Sequence, residues 1–181
     1  MDALTIEDVF DQNVYLDLRT DEYKPLHKPN FGAKPFALPD NVSLVSNQTQ
    51  LFDALNAIRG GSGGIIKLLD IIYVDSTVRV PSSVKLINGG IAPSNKFTGT
   101  HLVELRGSQN VWLHNMVING GGRDDLITVP VMERSNNIIF SSCMISDGRT
   151  GISISGGSSN ITIFDCHSYG HKVFHGFVVP P

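Results

Sequence analysis

Three Gly-bearing turns carry most of the residues able to do chemistry: "GGRDD" at 121–125, "DGRTG" at 147–151 and "YGHKVFHG" at 169–176. Aligned on glycine, they bring Arg123, Arg149 and His171 into one column, with Asp124, Asp125, Asp147, Tyr169 and Lys172 beside it. A cationic stripe of this kind suits an acidic polysaccharide. A guanidinium clamps a carboxylate through two parallel N–H bonds, and a nearby Asp binds hydroxyls or exchanges a proton. Glycan contact is therefore expected from Arg123, Asp124, Arg149, His171, Lys172 and Tyr169. Should the chemistry extend to catalysis, the candidates are Asp147, Arg149, His171 and His175. The same residue types also make ordinary turns, and exposed Arg–Asp pairs stabilise little, so both readings stay open.

Other polar residues offer less. Asp165 and His167 flank Cys166 at alternating positions and are expected to point outward together, as a general base would need, but no nucleophile or metal cluster completes the set. His114, at a bend, is expected on the surface. Trp112 sits in the first outward slot of its strand, either exposed to a sugar ring or covered by the N-terminal segment. Cys143 and Cys166 are too few for a disulfide framework and are expected as reduced thiols stacked beneath Met116 in an apolar interior column. No metal site is expected.

The elements that must hold these residues repeat. "QNVWLHNMVI", "NNIIFSSCMI" and "SNITIFDCHS" are versions of one strand, and Val84, Val111, Ile138 and Ile161 are equivalent, at steps of 27, 27 and 23 residues. Leu86, Leu113, Phe140 and Ile163 match two places on, then Met116, Cys143 and Cys166. Each unit adds a second short strand: "HLVEL", "ITVPVM", "GISIS", "GFVVP". One or two strands per unit at this period mean stacked coils, since a single coil cannot bury its own inner face. Units this short exclude propeller blades, and the leucine-rich signature is absent. The expected fold is all-β: a single-stranded right-handed parallel β-helix of four to five coils. "NQTQLFDALNAIRGG" predicts a capping helix over 49–58, with Leu51, Leu55 and Ile58 on one face, Asn47 or Thr49 at its start, and Gly60-Gly61 ending it.

Residues 47–181 resemble the pectate-lyase-like superfamily of right-handed β-helices. The likeness rests on the capping helix, the first coil "GGIIKLLDIIYVDSTVRVPSSVKLI" and the Asn-hydrophobic coil starts. It implies a fold that carries lyases, hydrolases, epimerases, phage tail-spikes and inert spacers, with any activity in a groove across several coils of the outer face. "FHGFVV" at 174–179 is similar to a His-Gly-Phe element of mannuronan epimerase-like β-helices, which would make His175 its histidine, although the Asp-Pro-His-Glu signature of those enzymes is absent. Asp124, Asp125, Asp147 and Arg149 imitate the calcium nest and catalytic Arg of pectate lyases. No cofactor is implied otherwise, and calcium enters only under that lyase reading.

Composition narrows the partners. A net charge of −3 lacks the basic footprint of nucleic-acid binding, and no run approaches the roughly 18 apolar residues of a membrane helix. Residues 1–48 form an extended Pro-containing arm, with Pro25, Pro29, Pro35 and Pro39 among apolar Tyr23, Leu26, Phe31, Phe36 and Leu38, suited to lying along a surface. Residues 49–181 form the β-helix domain. The acidic first residues lack a secretory pattern, the last strand is followed by no lid, and the coils are few for a full catalytic groove. These features together point to a structural or adhesive module of a larger assembly, tail-spike-like. It would contact surface polysaccharide, meet other chains at its arm and open end, form a homo-oligomer or join a larger assembly, and reside on a virion or an extracellular or cell surface. The alternative is a polysaccharide lyase or epimerase acting on uronate-containing glycans.

Overall fold

A computed structural model describes residues 42–59, 63–174 and 176–179. The arm expected over 1–48 therefore lies outside the described residues up to position 41, as does His175.

Alternating apolar residues give every strand one face for a core, and the chain winds them into three parallel sheets. The first sheet is built from Val42–Val45, Gly64–Leu68, Val84–Ile87, Gln109–His114, Asn136–Ser141 and Ser159–Phe164. The second takes Ile71–Val74, Gly90–Pro93, Val117–Asn119, Met144–Ser146 and His167–Tyr169. The third takes Val78–Arg79, Val103–Arg106, Ile127–Met132, Thr150–Ile154 and Phe177–Val178. Each circuit visits all three sheets before rising one rung, which defines a parallel β-helix. Val111, Ile138 and Ile161 are direct register partners, and so are Leu113, Phe140 and Ile163. These ladders fill the shaft: Val111, Leu113, Ile138 and Phe140 are fully buried.

The first sheet has six strands, so the helix has about six coils rather than four to five. The extra rung is Val42–Val45, which pairs in parallel with Gly64–Leu68 through Val42↔Ile65 to Val45↔Leu68. Sequence had assigned it to the arm because the capping helix interrupts the period between the two strands. That helix spans Gln48–Arg59 and buries Leu51, Leu55 and Ile58. Asn47 caps it, its Oδ1 accepting the Gln50 N–H at 3.0 Å, and it packs on the strands at 42–45, 64–68 and 71–74. At the far end Ile161, Ile163 and Cys166 are only partly buried. Among the described residues no helix is long and apolar enough to cross a membrane.

The repeated Asn has a conformational cause. Asn110, Asn137 and Asn160 all adopt φ between 53° and 57°, as do Asn88, Asn115, Ser142 and Asp165 near 48–59° at the next bend. Asn and Asp tolerate this left-handed region because their short polar side chains bond locally. They also bond along the stack, Asn137 Nδ2 donating to Asn110 Oδ1 at 2.8 Å and Asn115 Nδ2 to Asn88 Oδ1 at 3.1 Å. Asp165 belongs to this set, accepting from Ser142 Oγ at 3.3 Å as a bend residue. Cys143 and Cys166 occupy successive rungs as unbridged thiols. Burial pushes the Cys143 thiol up, and its S–H reaches the carbonyls of Ser141 at 3.3 Å and Leu113 at 3.4 Å.

Candidate functional site

The glycine-aligned column lies where the second sheet turns into the third, but its members do not stack. Seven residues connect Asn119 to Ile127, whereas three connect Ser146 to Thr150. The longer turn loops out, and the Arg149 N–H donates to the Leu126 carbonyl at 2.7 Å, so Arg149 sits above Leu126 and not above Arg123. This four-residue difference is also why the repeat step falls from 27 to 23.

Each former member of the column has its own partners. Arg123 grips Asp125 through Nε at 2.9 Å and Nη2 at 2.6 Å, donates to the Phe97 carbonyl at 2.8 Å, and lies over the Phe97 ring at 5.5 Å. The guanidinium bond holds the Asp125 carboxyl below its usual range. Asp124 is exposed. Asp147 takes φ 56°, and its Oδ2 accepts Asn119 Nδ2 at 2.8 Å. Gly170, at φ 70°, packs so close that a Cβ there would lie 2.3 Å from Asp147 Oδ1, so only glycine fits. Arg149 is exposed, its guanidinium 5.2 Å from the Phe174 ring centre. Lys172 is exposed, with its N–H bonded to the Gly148 carbonyl at 2.9 Å.

His171 turns inward instead of joining a cationic stripe. Ser168 occupies the rung position of Ile145 and Ile118, and its hydroxyl meets His171 Nε2 at 2.8 Å. Burial pushes the His171 imidazole below its ordinary range, against the opposing pull of the Gly148 backbone and the Asp147 charge. The pair provides a polar finish to an otherwise apolar interior column.

Tyr169 belongs to a different line, on the outer face of the second sheet. Tyr73 pairs with Ala92, and Asn119, Ser146 and Tyr169 follow in register. Ala92 and Ser146 are buried, whereas Tyr73 and Tyr169 are 63% and 51% exposed. The result is a trough with a tyrosine at either end, four rungs or about 19 Å apart at the usual strand spacing.

Two sheet-face clusters escaped the sequence reading. On the first sheet, the Lys85 ammonium lies 3.8 Å over the Trp112 ring, Trp112 Nε1–H donates to Ser141 Oγ at 2.8 Å, and His114 Nδ1 meets the same oxygen at 2.9 Å. His114 is thus half-buried rather than a surface residue, and burial together with the Lys85 charge pushes its pKa down to about 4. Trp112 is 2% exposed and presents no ring to a sugar. On the third sheet, Glu104 gathers Arg79, Arg106 and His101. Aligning the second strands of each coil, "STVRV" on "HLVEL", places Arg79 on Glu104 and would have found this cluster.

Among the described residues no three His, Cys, Asp or Glu side chains gather as a metal-binding set. Comparison with protein-family models, with curated proteins and with solved structures finds no match to this chain.

Proposed function

We propose that this chain is a structural and adhesive β-helix module of a larger assembly, built like a tail-spike of the pectate-lyase-like superfamily, that contacts surface polysaccharide along the second sheet. The observation carrying this reading is the trough itself: exposed Tyr73 and Tyr169 bracket the recessed Ala92, Asn119 and Ser146. Tyrosine offers an apolar face and a hydroxyl at low entropic cost, which suits stacking on sugar rings. Arg149, Phe174 and Lys172, exposed on the following turns, extend the surface with charge. The hydrogen bonds and ring contact of the turn residues favour binding over turnover, because Asp147 bonds Asn119, His171 bonds Ser168 and Arg149 lies by the Phe174 ring. The reading implies a virion or an extracellular or cell surface, where such polysaccharide is met.

A panel of immobilised bacterial surface polysaccharides tests it. Binding to at least one is expected, with Tyr73→Ala and Tyr169→Ala each lowering affinity about fivefold, the worth of one aromatic contact. Binding indifferent to both substitutions, or release of shortened glycan with time, would sink the proposal.

A further inference from the structure

The outer face of the third sheet carries a second built site, on a different sheet from the tyrosine trough. Glu104 is 3% exposed, and a carboxylate so buried requires partners. Its Oε1 accepts Arg106 Nε at 3.1 Å and forms an ion pair with Arg79 Nε at 3.2 Å, while Oε2 meets His101 Nδ1 at 3.0 Å. Arg106 also bonds Glu133 on the next coil. Burial alone would raise the Glu104 pKa, but the bonds from Arg106 and His101 and the charges of Arg106 and Arg79 outweigh it and keep the group ionised.

This network draws the Nε end of Arg79 toward Glu104 by charge, and the Arg79 side chain stays 69% exposed. Beside it runs a groove of about 620 Å³ lined by Arg59, Arg79, Ser82, Glu104, Arg106 and Ser108. A neighbouring hollow of about 390 Å³ shares Arg59 and Arg79 and adds Asn56, Ser76 and Thr77. Arg59 and Arg79 therefore stand between two recesses whose other walls offer hydroxyls and an amide. Three guanidiniums face two carboxylates, Glu104 and Glu133, an excess of one positive charge in a chain whose net charge is −3. An exposed guanidinium beside hydroxyl-lined recesses matches a sugar bearing an anionic group.

We propose that this groove binds an anionic sugar residue, carboxylated or sulfated, with Arg59 and Arg79 contacting the charge and Glu104 acting as the positioning residue that draws Arg79 by charge. Titration calorimetry on the full chain, at low and at physiological salt, uses three hexasaccharides: one bearing glucuronate, one bearing sulfate and one neutral. A charged hexasaccharide is expected to bind about tenfold or more tightly than the neutral one, and the tighter of the two charged ligands identifies the group recognised. Arg59→Ala is expected to lower that affinity about tenfold without moving the unfolding midpoint, since Arg59 lies on the exposed end of the helix. Arg79→Lys, which keeps the charge but loses the fork, is expected to weaken it as well. Tyr169→Ala leaves it unchanged, which separates failure here from failure of the adhesive reading. The proposal is overturned if neither charged ligand binds, if charged and neutral ligands bind alike, if Arg59→Ala binds as the unmodified chain does, or if inorganic sulfate competes as strongly as the hexasaccharide.

Discussion

Arg79 and Glu104 stand one coil apart on the third sheet and meet at 3.2 Å, whereas Arg123 and Arg149, also about one coil apart, share no position in the stack. Lys85, Trp112, His114 and Ser141 repeat the first behaviour on the first sheet. Parallel in-register pairing forces residues on a sheet face into columns, because every rung is held by the ladder bonds of the next. A turn has no such ladder, and its length varies from three to nine residues between equivalent strands. Polar groups on faces therefore converge into shared networks, while polar groups on turns close locally on whatever lies near. The convergent clusters are the ones whose disruption costs stability.

The largest effect expected from this contrast is in the pH dependence of folding. His114 has a folded pKa of about 4 against an unfolded value of 6.5, so the unfolded chain takes up the proton first. Stability is then full above pH 6.5 and falls as pH drops toward 4, by on the order of 3 kcal/mol. Urea unfolding between pH 7.5 and pH 4 measures it, and His114→Gln should flatten that limb. Glu104 shows linkage of the same sign in a more acidic window: its folded pKa is depressed, so its contribution is complete above the unfolded carboxylate pKa and disappears as pH falls through the folded one.

Next in size, Glu104→Ala removes the shared ion-pair partner of two arginines and should cost about 2 kcal/mol, less than a fully buried pair because Arg79 and Arg106 are 69% and 44% exposed. Chemical denaturation gives the value, and no loss would mean that the network is as dispensable as the turns. Gly170→Ala is a turn substitution expected to approach it, at about 1–2 kcal/mol, since it forces a side chain into left-handed backbone against Asp147. At the bottom of the scale, Arg123→Ala should move the unfolding midpoint least despite its bidentate bond, because its partner Asp125 is 53% exposed and well solvated. A large shift from Arg123→Ala would erase the distinction between faces and turns.

The shaft was legible because its signal is apolar and periodic: Val111, Ile138 and Ile161 recur wherever a rung needs an inward residue. The helix was legible from Leu51, Leu55 and Ile58 for the same reason. The rung at Val42–Val45 was hidden by the helix that follows it, and the Asn repeats announced bends without revealing that they bond to one another. For the candidate site the glycine alignment compared turns of unequal length, so it set Arg149 on Arg123 instead of Leu126 and sent His171 outward when Ser168 draws it in. Glu104 was passed over because a charged residue inside "HLVEL" reads as an ordinary outward slot. Its burial depends on Arg79 and Arg106, which meet it only after folding.

The loop at Gly121 and Gly122 shows what unequal turns permit. A side chain added at Gly122 would meet no atom within 4 Å, and the strands on either side keep their partners while the connection between them swells from three residues to seven. Foreign peptide grafted there should be displayed outward without altering the pitch of the spiral, so this corner is where such a scaffold can diversify its recognition while its spine stays constant.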